Sequence, residues 1–200
     1  MSPRPDVSKE RKSQILDAAE DIFTEKGFDS ARMEDIADQT GLSKGTLYLY
    51  FEGKNDLIVA LLDRVFQKEF DRIRNLINVD STSSEKMMAI TGLVIDDMKG
   101  MLGLIPILYN FLALAFRNKH VQAALKNYLH HYLDVLIPII REGIDRGEFK
   151  DIEPQDIAIN CMAILEGTLL LWVYDRNTID IDRHIRLGME NLIRGLKHET

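Results

Sequence analysis

Apolar residues recur along this chain at intervals of three and four, and no useful stretch alternates apolar with polar residues. That period stacks side chains on one face of an α-helix, so the expected fold class is all-α, with about nine helices. Ser8 is placed to cap a first helix running to about residue 26, with Ile15, Leu16, Ala19, Ile22 and Phe23 on one stripe and Gly27 ending it. A short helix over about 33–39 turns Met33, Ile36 and Ala37 inward. Thr40-Gly41-Leu42 then makes a turn, and Ser43 caps a third short helix through Phe51. After Glu52-Gly53, a long helix over about 55–77 carries Leu57, Ile58, Leu61, Leu62, Val65, Phe66, Phe70 and Ile73. Residues 78–84 are linker-like, and Thr82 with Glu85 reads as a capping box for the next helix. Helices follow at about 85–100, 104–117, 119–146, 154–174 and 181–198. Pro106 and Pro154 suit first turns, whereas Pro138 falls inside a helical pattern and is expected to kink it.

With 46% hydrophobic and 28% charged residues, and only 5 prolines and 12 glycines, the chain can form a packed core and is not low-complexity. The lone Cys161 cannot form an internal disulfide, which favours a reducing, cytoplasmic setting. The first residues, MSPRPDVSKERKSQ, lack the apolar region of a signal peptide. The longest uncharged stretch, 100–116, has 17 residues and includes Pro106 and Asn110, short of the roughly twenty apolar residues of a membrane span. A buried helix is expected there.

A formal charge of −7 argues against a generic nucleic-acid coat protein. Placement says more than the sum. Residues 1–56 hold 8 Lys/Arg and 12 Asp/Glu, a net of 8 − 12 = −4. The basic groups gather early (Arg4, Lys9, Arg11, Lys12) and around the turn (Arg32, Lys44, Lys54), while Asp17, Glu20, Asp21 and Glu25 fill the rest of the first helix. One edge can therefore be positive while the opposite face is negative.

Three helices with a glycine turn between the second and third describe a helix-turn-helix. On the third helix, Leu47 and Phe51 share the side that packs inward, and Gly45, Thr46, Leu49 and Tyr50 are expected on the other. An exposed leucine and tyrosine beside a glycine suit a DNA groove better than water. Gly45 permits close approach, Thr46 can bond a base edge or phosphate, and Leu49 can touch a thymine methyl. Lys44, Tyr48 and Lys54 suit phosphates, which position a protein without reading sequence. Packing roles for the tyrosines and a solvated rim for the lysines are the plain alternative.

The wording of this stretch is more specific than its helix pattern. Gly27-Phe28, Met33-Glu34-Asp35-Ile36-Ala37, the run Gly41-Leu42-Ser43-Lys44-Gly45-Thr46-Leu47-Tyr48-Leu49-Tyr50-Phe51, and Lys54 before Leu57 closely resemble the head of the tetracycline-repressor (TetR) family. The resemblance covers about residues 10–62 and implies DNA contacts from Arg32, Ser43, Lys44, Gly45, Thr46, Tyr48, Leu49, Tyr50 and Lys54. Two positions depart from the family pattern. Ala31-Arg32 stand where Thr or Ser is common, so Ser30 is expected to cap the second helix and Arg32 to meet a phosphate. Leu49 stands where His or another polar or aromatic residue is common, which leaves the operator sequence open.

The resemblance also implies a division into a DNA-binding domain over 1–56 and a helical effector-binding and dimerisation domain over 57–200, with the last two helices pairing two subunits. The segment IAINCMAILEGTLLLWVY is apolar nearly all round and must be covered on several sides. Ile181, Ile185, Leu187, Leu192, Ile193 and Leu196 are expected to give the last helix its partner face. Candidates to line an effector pocket are Met98, Met101, Leu102, Tyr109, Phe111, Leu112, Phe116, Tyr128, Tyr132 and Trp172, although such stripes serve equally as plain core. Glu166 is a carboxylate in an apolar run and needs a partner: a cationic effector group, or a group across a dimer. His130, His131 and Asp134 do not make a metal site, because neighbouring helical residues point about 100° apart. No nucleophile–base arrangement or phosphate-cradling loop is present, so neither enzyme activity nor a cofactor is expected. The expected function is a cytoplasmic, homodimeric repressor that leaves its operator when a small apolar or amphipathic effector binds. An activator or effector-independent regulator of the same fold, and a helical ligand carrier without DNA binding, are the alternatives.

Overall fold

The computed structural model describes residues 5–77, 80–100, 102 and 105–198. Nine α-helices and no strand occur among them: α1 (Pro5–Lys26), α2 (Met33–Thr40), α3 (Lys44–Tyr50), α4 (Lys54–Ile77), α5 (Ser83–Gly100), α6 (Ile105–Ala115), α7 (Lys119–Asp145), α8 (Pro154–Tyr174) and α9 (Ile181–Leu196). The all-α expectation holds, with boundaries within a turn of those read from periodicity. The exception is α1, which starts at Pro5, so Ser8 lies inside it and is not its cap. Proline suits a first helical position because that N–H has no intrahelical acceptor to lose.

The chain forms two compact units: Met1–Phe66 with Met101–Lys126, and Gln67–Gly100 with Asn127–Thr200. In the first, Ile15, Ala19 and Phe23 of α1, Ile36 of α2, Leu47 of α3 and Leu57 and Ile58 of α4 form a buried core. The inward stripes expected for these helices are therefore correct. The core also takes in Phe111 of α6 and Val121 of α7, with Leu114, Ala115, Ala124 and Leu125 partly buried around them. Phe111 is thus a core residue of the first unit. Arg64 of α4 ties this unit from outside, donating to Asp17 at 2.5 Å and Glu20 at 2.7 Å.

In the second unit, α9 packs on α5 and α8. The α5 N-terminus carries the expected capping box: Thr82 N donates to Glu85 at 2.8 Å, and Glu85 N to the Thr82 hydroxyl at 3.2 Å. A second cap arrives from far along the chain. The Glu148 carboxylate accepts from the Ser83 and Ser84 amides at 2.8 and 2.9 Å, filling donors the helix leaves unpaired. Nearby, Lys86 is almost buried and pairs with Glu142 at 2.9 Å. Lys150 closes the same junction by donating to the Leu196 and Gly195 carbonyls.

The last two helices use their apolar residues differently. Ile181, Ile185, Ile193 and Leu196 are buried inside their own unit, and of the six named α9 residues only Leu187 is exposed. The reason is the marked amphipathicity of α9: its single apolar face is consumed by α5 and α8. α8 has apolar residues to spare. Ile157, Ala158, Cys161, Met162, Leu165 and Leu169 face inward, while Ile159, Leu170, Leu171, Val173 and Tyr174 are exposed. By length and composition α8 could cross a bilayer, yet its inner face is packed against protein. Burial pushes the Cys161 thiol up to about 12.

Gly143 marks the tightest approach in this unit. A Cβ there would overlap the Phe149 ring and come within 2.9 Å of Ser83 Cβ. Gly143→Ala should therefore lower stability by about 1–3 kcal/mol, the usual cost of overpacking. Gly195→Ala, a helical position with nothing within 4 Å of the new methyl, should be neutral or slightly stabilising. Thermal melts of the two variants check this pair.

Candidate nucleic-acid interface

α2 ends because Gly41 adopts φ 67°, a left-handed conformation that glycine reaches without a Cβ penalty. Its N–H returns to the Ala37 and Asp38 carbonyls, and Leu42 packs partly against the core. Ser43 then caps α3 as expected: its Oγ accepts from Thr46 N at 3.1 Å and lies 2.8 Å from the Thr46 hydroxyl. Leu47 is fully buried and Phe51 nearly so, which fixes which side of α3 faces out. On that outer side lie Lys44, Gly45 and Leu49, with Leu49 84% exposed. That exposure sets an apolar side chain, on a capped and anchored helix, where a groove could receive it.

Of the two tyrosines, Tyr50 departs from expectation and Tyr48 does not. Tyr50 is partly buried against the core, and Tyr48 is 44% exposed. Helical geometry accounts for this: Tyr50 follows Leu47 by three residues and so lies only about 60° from it, inside the packed sector. Tyr48 stands about 100° from Leu47, on the rim, with the Lys44 ammonium 6.0 Å from its ring centre.

Two cations near this face, Lys44 and Lys54, are engaged in particular ways. Lys44, the first residue of α3, pairs with Glu34 in the first turn of α2. The hydrogen bond from Lys44 holds the Glu34 carboxyl below the ordinary carboxylate range, and the same bond raises Lys44. Lys54 donates to the Phe28 carbonyl at 2.7 Å and the Asp29 carbonyl at 3.1 Å, with its ammonium 4.7 Å from the Phe28 ring centre. It therefore ties the start of α4 to the turn after α1. Arg32 is exposed and occupies the N-cap position of α2; Ser30 does not cap this helix. The Asp35 carboxylate, at the third helical position, accepts from Arg32 N at 2.8 Å and from Lys26 at 2.9 Å, and those bonds lower its pKa. Sequence reading missed the Glu34–Lys44 and Lys26–Asp35 pairs. Ten and nine residues separate the partners, so only the folded turn brings them together.

The residues expected around an effector fall in both units. Leu102, Tyr109, Leu112 and Phe116 belong to the first; Met98, Tyr128, Tyr132, Glu166 and Trp172 belong to the second. Met101 lies outside the described residues. Tyr132 is buried, and the Tyr128 ring lies 5.9 Å from that of Phe70. Met98, Leu102 and Tyr109 are half-buried. Leu112 is exposed, and Phe116 is 91% exposed because α6 ends one residue before it. Trp172 carries Arg176 stacked 4.4 Å from its ring centre. Glu166 is exposed between Ala163 and Leu170, though its apolar neighbours already desolvate the carboxyl enough to raise its pKa. Among the described residues it has no hydrogen-bonding or ionic partner. No group of three His, Cys, Asp or Glu that could hold a metal occurs among the described residues.

Residues 15–61 match the family described as bacterial regulatory proteins, tetR family. Residues 88–196, more than half of the chain, match the BetI-type transcriptional repressor C-terminal family. The chain is 27% identical over 189 residues to the fatty acid metabolism regulator protein of Bacillus subtilis, covering 93% of this chain and 95% of that one. It is 25% identical over 198 residues to the HTH-type transcriptional activator FasR of Mycolicibacterium smegmatis, covering 94% and 84%. The solved structure of the transcriptional regulator FadR from Bacillus subtilis in complex with stearoyl-CoA superposes with a TM-score of 0.78 at 26% identity, covering 92% of this chain and 98% of that one. With a helix-turn-helix head that presents Leu49 to solvent and a matched helical C-terminal region behind it, this chain belongs to the tetR family of bacterial regulatory proteins and is a ligand-responsive, DNA-binding transcriptional regulator.

Proposed function

We propose that this regulator is a cytoplasmic homodimeric repressor whose operator is read by α3 and whose release signal is an acyl chain carried on a polar group. The observation that carries the DNA reading is the exposed face of α3, where Leu49, Gly45 and Thr46 stand on a helix pinned by Leu47 and the Ser43 cap. In this reading residues 1–56 are the DNA-binding domain and 57–200 the effector-binding and dimerisation domain. Leu49 and Thr46 meet base edges, while Ser43, Lys44, Gly45, Tyr48 and Arg32 approach the backbone. Tyr50 and Lys54 act differently, by holding α3 and the turn after α1 in place. The acyl preference is supported by the relative seen with stearoyl-CoA. The relative named as an activator supports a second reading, in which the same effector strengthens operator binding.

The pairing surface we propose is the outer face of α8. Ile159, Ala163, Leu170, Val173 and Tyr174 recur at helical spacing along it, and Leu187 of α9 is exposed as well. Glu166 lies within that stripe, so association would desolvate it further and raise its pKa more. A dimer that binds more protons than its separated subunits is strongest at low pH, and weakens as pH rises through and just above the usual carboxylate range.

The effector test is a gel shift on the DNA flanking the regulator's own gene. Stearoyl-CoA should release the duplex, while free CoA should not. Retention of the duplex at every acyl length would exclude the acyl reading, and tighter binding would favour the activator. Leu49→Ala should weaken specific binding by about 1–3 kcal/mol with little change on random DNA. Lys54→Ala should lower the melting temperature without altering the salt slope, and a flattened slope would return Lys54 to the phosphate. For the dimer, Leu170→Asp should give monomers in sedimentation. Glu166→Gln should tighten association at neutral pH and remove its pH dependence; a pH-dependent dimer in that variant would move the titrating group elsewhere.

A further inference from the structure

An acidic head that binds DNA needs its few basic contacts, yet the one at the start of α3 is already partnered. Lys44 pairs with Glu34 across the α2–α3 turn, and both side chains remain about half exposed, at 57% and 51%. The pair is open to solvent and can exchange. The two carboxylates of the α2 first turn differ in employment. Asp35 closes the helix by accepting from Arg32 N and holds Lys26, so its interactions are internal to the fold. Glu34 accepts from no distant backbone amide, and its side-chain partner is Lys44, which is exposed at the first position of the helix that carries Gly45 and Leu49. A carboxylate in a helix first turn, held against a lysine, occupies the kind of place a backbone phosphate would take.

We propose that Glu34 is an internal competitor for backbone phosphate, which neutralises Lys44 in the free protein and lowers affinity for all DNA by a similar factor. On binding, Lys44 transfers from the Glu34 carboxylate to a phosphate, leaving that carboxylate near the duplex. The stranded negative charge retains a cation that would otherwise be released, so the salt dependence is shallower than the number of phosphate contacts predicts. The base-reading residues are untouched. Glu34 therefore penalises sequence-independent binding, which depends almost wholly on phosphates, and leaves the advantage conferred by Leu49 and Thr46 intact. The inference rests on the DNA-binding function and not on the identity of the effector.

The test measures fluorescence anisotropy of a labelled duplex of random sequence across a potassium chloride titration, using the full-length protein. Glu34→Gln should tighten binding about three- to fivefold at low salt, the range of an exposed ion pair. It should also steepen the logarithmic salt slope by up to about 0.9, one phosphate's worth. Glu34→Ala should give the same gain, and both gains should vanish in a Lys44→Gln background. Unchanged or weaker binding by Glu34→Gln would overturn the proposal, the second because it would show Glu34 aiming Lys44 at the DNA. A gain that persists in the Lys44→Gln background would also overturn it, since Glu34 would then act by general repulsion and not through Lys44.

Discussion

The burial of Phe111 and Val121 among Ile15, Phe23, Ile36 and Leu57 is the contact on which the first unit depends. Helices α1 to α4 supply most of this buried cluster. The end of α6 and the start of α7 complete it. A phenylalanine that is 1% exposed at such a place cannot move without opening a cavity, which costs several kcal/mol in a close-packed core. The DNA-reading helices therefore share one packed interior with a segment that lies well outside the helix-turn-helix. A change at the α6–α7 corner would therefore be felt in the core that α1, α2 and α3 share.

Much of this was legible in the sequence because it is local. The inward stripe of α1, the Gly41 turn, the Ser43 cap and the Thr82–Glu85 box each involve residues within four positions of one another, where helical geometry is almost a fixed rule. Tyr50 was misplaced even so, because it sits at the edge of the sector that Leu47 and Phe51 define. What could not be read is non-local. Nothing in the spacing of Glu148 signals that it caps a helix beginning 65 residues earlier, and nothing about Phe111 says which of two interiors it joins. The α9 stripe was read correctly as apolar, but the part that α5 plays in covering it was not legible, since periodicity reports that a face is covered and not by what.

The charges follow a similar division. Lysines that a local reading assigns to phosphate turn out to have partners in the free protein: Lys54 the Phe28 and Asp29 carbonyls, Lys44 the Glu34 carboxylate. A basic residue near DNA is thus not automatically available to it. The half-buried Lys54 is held by backbone that must itself be satisfied, whereas the exposed Lys44 can change partners at small cost.

Cys161 offers one last consequence. Its side chain is wholly buried on the inner face of α8, and its thiol is raised to about 12, so almost no thiolate exists at neutral pH. An alkylating reagent can reach it only when α8 separates from the rest of its unit. The rate of modification then becomes a clock for that opening, independent of tryptophan fluorescence and of the DNA-binding end. Because the chain has a single cysteine, every labelled molecule reports the same event, and a ligand that clamps the second unit would slow the clock exponentially with the free energy it adds.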